Sequence, residues 1–102
     1  MSRDISYDEQ VLAVVEAVPA GRVMSYGDVA EYLGSGGPRQ VGRVLAGSDG
    51  RVPWWRVVHA DGTPPQGKEA GCLARLHAED TPLRPDGDRV DMSRARWDGR
   101  LR

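Results

Sequence analysis

Ser25-Tyr26-Gly27-Asp28-Val29-Ala30-Glu31-Tyr32-Leu33-Gly34, then Ser35-Gly36-Gly37, then Pro38-Arg39-Gln40-Val41-Gly42-Arg43-Val44-Leu45-Ala46 is the stretch that decides the fold. Ser25 and Asp28 have the spacing of a capping box and open a short helix whose inward stripe is Val29, Ala30 and Leu33. The glycine-rich turn ends it at Gly34. Pro38 then stands where a first helical residue is pre-organised, so a following helix is expected to run to about Ala46. Val41, Val44 and Leu45 face inward in that helix, leaving Arg39, Gln40 and Arg43 outside. Two short helices joined by such a turn, the second presenting Arg and Gln, have the outline of a helix-turn-helix. An ordinary helical hairpin with solvated basic residues would read the same way, so the pair alone does not decide function.

Upstream, Ser6 with Glu9 is another capping box, and Tyr7, Val11, Val14, Val15 and Val18 fall at helical spacing until Pro19-Ala20-Gly21. Asp4, Asp8, Glu9 and Glu16 make this first helix acidic at its start and on its open face, which suits an element turned away from phosphate. Downstream of Ser48-Asp49-Gly50 the chain reads as extended to a turn at Asp61-Gly62. A Pro/Gly-rich loop, Thr63 to Gly67, leads into a fourth helix with Leu73 and Leu76 inward. Asp86-Gly87 suggests a hairpin turn before a strand from Arg89 to Met92. The sum is a mainly α chain with a small β element, a winged-helix-like helix-turn-helix domain spanning 1–102, with the Arg-rich tail beyond Asp91 as a solvated edge.

Pro53-Trp54-Trp55-Arg56-Val57-Val58 breaks the tie left by the helix pair. Adjacent tryptophans are costly to expose, and each needs a partner for its indole N–H once buried, so a proline-fixed Trp-Trp-Arg run makes a wall for a flat aromatic ligand. Core filler between a helix and a strand is the plainer alternative.

A formal net charge of −1 argues mildly against nucleic acid, but the distribution matters more. Residues 1–20 carry net −3 and residues 61–102 net zero, whereas residues 21–60, which hold both motifs, carry five basic groups against three acidic. A weakly positive face on such a chain predicts modest affinity for plain DNA, with specificity supplied by a pocket. The 102 residues suit one modest core, so any downstream step belongs to a partner. No stretch approaches the roughly twenty apolar residues of a membrane span, and the start lacks a signal-peptide segment, so no membrane association and a cytoplasmic (in a bacterium, nucleoid-associated) monomer are expected. Cys72 is the only cysteine and is expected to be a small buried residue near a helix start, and neither His59 nor His77 has metal-ligand spacing. No cofactor and no metal are expected.

The Trp run resembles the Pro-Cys-His-Arg-Val motif of the O6-alkylguanine-DNA alkyltransferases, with Trp54 at the alkyl-accepting cysteine and Trp55 at the histidine. That replacement resembles the alkyltransferase-like members, which bind the lesion without repairing it. The likeness runs from about Tyr7 to Trp97 and includes Met24-Ser25-Tyr26-Gly27-Asp28-Val29-Ala30 and Pro38-Arg39-Gln40-Val41-Gly42-Arg43-Val44-Leu45 in the family's order. It implies a winged-helix-like fold and non-enzymatic recognition of O6-alkylguanine in double-stranded DNA by nucleotide flipping. It further implies a hand-over to nucleotide excision repair proteins.

By this resemblance Arg39 is the finger that fills the vacated stack, and Tyr26 packs against the 3′ phosphate of the rotated nucleotide. Pro53, Trp54, Trp55, Arg56 and Val57 form the lesion cleft, with Val57 and Val58 backing it from the core. Arg56 either hydrogen-bonds near the base or braces the loop. Ser25, Gln40, Arg43 and Ser48 complete the expected DNA-facing set. Ser48 stands where the family has a hinge asparagine, the link from there to Trp54 looks shorter, Glu79 lies near the acid that would orient the missing histidine, and the loop from Asp61 to Gly71 has little family likeness. Two rivals remain: a winged-helix transcription regulator reading the major groove through Gln40 and Arg43, and an alkyltransferase using Cys72 as acceptor.

Overall fold

The computed structural model describes residues 5–100. Asp4, counted above among the acidic residues of the first helix, and Arg102 of the tail lie outside them. Helix α1 (Tyr7–Ala17) starts on the expected box: the Ser6 hydroxyl accepts from the Glu9 N–H at 3.1 Å while Glu9 reaches back to the Ser6 N–H. Its buried face is Val11, Val14 and Val15, with Val18 following as the cap. Strand β1 (Met24–Ser25) runs straight into α2 (Tyr26–Leu33), capped by Ser25 and Asp28 and closed by Gly34 in the left-handed conformation. Helix α3 (Pro38–Ala46) begins at the proline and buries Val41 and Leu45, with Val44 half-buried.

The chain then makes one 3-10 turn over Trp54–Arg56 and enters β2 (Val57–Val58), which pairs parallel with β1 in the register Met24↔Val57 and Ser25↔Val58. Helices α4 (Glu69–Ala78) and α5 (Met92–Ala95) complete the elements. The short ladder partitions the interior. Met24 and Val57 join the core of α1, α2, α3 and Trp97, while Val23 and Val58 join a second cluster with Cys72, Leu76, Val90 and Ala95. Alternation of side chains across the pleat is the reason that consecutive valines enter different cores.

Three expectations on the second half need correction. The strand from Arg89 to Met92 does not form: a single antiparallel bridge, Leu83↔Val90, stands behind the turn at Asp86-Gly87, and Met92 already starts α5. Val90 instead hydrogen-bonds the Gly62 carbonyl at 2.9 Å, and Gly62, at φ +92°, packs so close that any Cβ would run into the Val90 carbonyl oxygen. In α4 the inward positions are Cys72 and Leu76, with Leu73 only half-buried, because Cys72 lies four residues before Leu76 on the same stripe. The tail is no solvated edge: Ala95 and Trp97 are buried, and the Trp97 N–H donates to the Val23 carbonyl at 2.7 Å. Among the described residues no helix is long and apolar enough to cross a membrane.

Candidate nucleic-acid interface

The 3-10 turn presents the two tryptophans edge to face, with ring centroids 5.9 Å apart and planes at 87°. Pro53, at φ −74°, leads into the turn, and the Arg56 N–H closes it on the Pro53 carbonyl at 3.0 Å. Helix α4 and its N-cap residue supply cations to the rings. Arg75 places its guanidinium 5.4 Å from each ring centroid, and the Lys68 ammonium lies 5.2 Å from Trp54. Contacts of this kind contribute about 0.5–2 kcal/mol each and hold the rings in place.

Behind the rings sits Glu79, just past the end of α4. It accepts from the Trp55 indole N–H at 3.1 Å and from Nε and Nη2 of Arg56 at 3.0 and 2.6 Å. Arg56 spends its remaining reach on the Val18 carbonyl at 2.8 Å. Its hydrogen bonds hold the Glu79 carboxyl below the usual glutamate range. Arg56 therefore braces the loop, which is one of its two open readings. Trp55 likewise gives its N–H to the brace.

Trp54 is the ring that lines a cavity. A space of about 130 Å³ is enclosed by Tyr26, Gly42, Leu45, Trp54, Pro65 and Lys68. It adjoins a wider one of about 370 Å³ bounded by Tyr26, Arg39, Gly42, His59, Pro65 and Gln66. Tyr26, Gly42, Pro65 and Gln66 border both, so the two form one groove along α3 with Arg39 on its rim. Tyr26, the first residue of α2, is tilted against His59 with centroids 5.1 Å apart. Burial pushes its phenol up to about 12, with the Cys72 thiol adding to the effect. Gly42 faces it, and a Cβ there would stand at ordinary contact distance, 3.8 Å, from the Tyr26 ring.

Several expected contact residues face elsewhere. Ser25 is buried, its hydroxyl accepting from Asp28 N–H as the cap of α2. Ser48 is buried and donates to the Leu45 carbonyl at 2.8 Å, which finishes α3 and leaves no hydroxyl for DNA. Val57 is wholly enclosed in the core and cannot touch a ligand. Gln40 lies exposed, its amide oxygen tied to the Gly37 N–H at 2.8 Å, and Arg43 is exposed on α3 away from the groove lining. Sequence reading missed the groove's far wall, formed by Pro65, Gln66 and Lys68, together with His59 and Arg75. Only Gly42 left a signal, because a glycine inside a helix costs about 1 kcal/mol and asks for a reason.

A groove between a helix-turn-helix and an aromatic loop agrees with the comparisons. The family model for the DNA-binding domain of 6-O-methylguanine DNA methyltransferase matches residues 6–80, which contain α1 to α4 and the whole Trp motif. The chain belongs to this methyltransferase family. The Escherichia coli DNA base-flipping protein is 35% identical to it over 105 residues, covering 95% of this chain and 78% of the relative. Alkyltransferase-like protein 1 of Schizosaccharomyces pombe is 38% identical over 66 residues, covering 62% of this chain and 60% of its own. The crystal structure of S. pombe Atl1 with damaged DNA containing O6-carboxymethylguanine superposes with a TM-score of 0.76 at 26% identity, covering 88% of this chain and 93% of that one. The Mycobacterium tuberculosis O6-methylguanine methyltransferase gives a TM-score of 0.64 at 26% identity, covering 80% of this chain and 54% of that one.

In this family member the sole cysteine is in no position to act on a substrate. Cys72 is wholly buried, its thiol directed at the Trp55 carbonyl at 3.5 Å, and burial pushes its pKa up to about 11 against the lowering effect of Arg75. A thiol so placed is neither ionised nor accessible at neutral pH. Among the described residues no group of three or more His, Cys, Asp or Glu could hold a metal ion.

Proposed function

We propose that this chain recognises O6-alkylguanine in duplex DNA by rotating the modified nucleotide into the groove bordered by Tyr26, Trp54 and Lys68, leaves the alkyl group in place, and so marks the site for nucleotide excision repair. The observation that carries the reading is the groove itself: an aromatic cleft opening beside the rim arginine of a helix-turn-helix, with no cysteine on its walls. A base inside the duplex hides its modified edge, so a protein that encloses that edge must extrude the nucleotide. Arg39 at the groove rim suits the role of the finger that fills the vacated stack, its planar guanidinium stacking on the neighbouring bases. Trp54 offers apolar surface to alkyl groups, and an indole carbon performs no in-line displacement. The names of the E. coli and S. pombe relatives favour the same reading, and the step to excision repair rests on the family resemblance.

The reading is tested by competitive binding of matched duplexes with and without one O6-methylguanine, followed by mass analysis of protein and DNA. Tighter binding of the lesion duplex with the methyl group still on guanine is expected. Equal affinity for both would overturn it. A sequence-reading regulator is less well supported, since the Gln40 amide oxygen is occupied by the Gly37 N–H and not poised for a paired adenine contact.

A further inference from the structure

The wider part of the groove carries a feature that lesion recognition by Trp54 does not use. His59 follows β2 immediately, and its backbone is held by a bond from its N–H to the Thr63 carbonyl at 2.9 Å and one from the Gly62 N–H to its own carbonyl at 2.8 Å. These place an exposed imidazole against the Tyr26 ring on the same wall as Arg39. The cavity is bounded by the phenol of Tyr26, the guanidinium of Arg39, the imidazole of His59 and the amide of Gln66, together with two prolines and Gly42, and no carboxylate borders it. Asp61, two residues after His59, accepts from both the N–H and the hydroxyl of Thr63, and Asp28 pairs with Arg96 at 3.0 Å and accepts from the Ser25 N–H. A cavity whose polar side chains can each donate, and whose charged groups are cationic or can become so, suits an anion.

We propose that His59 is a ligand of the DNA backbone phosphate that flanks the flipped nucleotide, and that it takes a proton from solvent when that phosphate is seated. The inference rests on the flipping reading above, which brings a rotated backbone to Tyr26 and therefore to the ring touching it. Neutral imidazole has one N–H to offer, and imidazolium has two and a charge, so the bound state holds the proton more tightly than the free protein does. By linkage, a contact that is stronger with imidazolium than with imidazole is strengthened by acid and fades as pH rises. Lesion binding gains strength as pH falls. Undamaged duplex, with no rotated backbone to seat, gains less.

The experiment measures the dissociation constants of lesion and plain duplexes between about pH 5.5 and 8 for the wild type, His59→Gln, His59→Lys and His77→Gln, with salt titrations at each end. The wild type and His77→Gln are expected to bind the lesion duplex about fivefold tighter at the acid end, with a salt slope steeper by about one phosphate contact there. His59→Gln is expected to lose both responses while still preferring the lesion. His59→Lys should bind as tightly at pH 8 as the wild type does at pH 5.5. A pH response of His59→Gln equal to that of the wild type, or one equally large for plain duplex, overturns the assignment. Absence of any lesion preference in the wild type would instead refute the flipping reading on which it stands.

Discussion

The indole N–H of Trp55 donates to Oε2 of Glu79, the oxygen that also receives Nη2 of Arg56. One carboxylate after α4 thus fixes two consecutive residues of the 3-10 turn, and through Arg56 it reaches the Val18 carbonyl that follows α1. The Arg56 and Glu79 side chains are only 16% and 17% exposed, so removing one charge strands the other. Glu79→Gln is expected to cost about 2 kcal/mol, below the full cost of a buried pair because some solvent reaches it. Urea denaturation measures the loss. The pH dependence has a definite sign. A carboxyl whose folded pKa is depressed contributes stability above the unfolded value, roughly 4.3, and loses it as pH falls through the folded value, so the gap between wild type and variant should close in acid.

Gly42 separates folding from binding. Its Cβ would meet the Tyr26 ring at ordinary contact distance, so Gly42→Ala should raise stability by about 0.5–1 kcal/mol through helix propensity. Gly42→Leu should stay folded by circular dichroism, fill the wall common to both parts of the groove, and weaken lesion binding about tenfold or more while plain-duplex affinity changes little. Retention of full lesion affinity by Gly42→Leu would move the binding site away from this groove.

Arg39 and Arg43 share a helix but not a surroundings: Arg39 borders the groove and Arg43 does not. Arg39→Ala should collapse the ratio of lesion to plain affinity, because a finger in the stack offsets the few kcal/mol that extrusion of a base requires. Arg43→Ala should lower both affinities together, as a phosphate contact does. A fluorescent base analogue at the lesion is expected to stop reporting extrusion only in the first variant.

Cys72 should resist chemistry while the protein is folded. With its pKa pushed up to about 11 and no exposed surface, it should react with a thiol reagent at pH 8 only as the chain unfolds, at a rate that rises with urea. Incubation with O6-methylguanine DNA should leave the protein mass unchanged. A methyl adduct on Cys72 would revive the idea of a displaced acceptor.

The first half of the fold was legible because its signals are local. Ser6 with Glu9, Ser25 with Asp28, Gly34 and Pro38 each fix a helix end within a few residues, and each stands at the helix end it foretold. The β element was not legible in the same way. β1 and β2 are two residues each and pair parallel across more than thirty positions, and a ladder that short leaves no period to read. The same limit governed the groove. Tyr26, Arg39 and Trp54 border it, as the motifs suggested, but Pro65, Gln66 and Lys68 come from a loop without pattern. Ser25, Ser48 and Val57 lie within or beside the motifs and yet turn inward, since proximity in sequence carries no direction.

The register Met24↔Val57 and Ser25↔Val58 sets the two residues before Tyr26 beside the two residues after Arg56 in one ladder. The backbone distance from the phenol to the tryptophan turn is therefore decided by hydrogen bonds in which neither side chain takes part. Such an arrangement divides labour between a chassis and an exchangeable tip. The groove-lining residue at 54 can be exchanged without breaking any hydrogen bond of that ladder, so the tip can change while the frame that aims it stays in place.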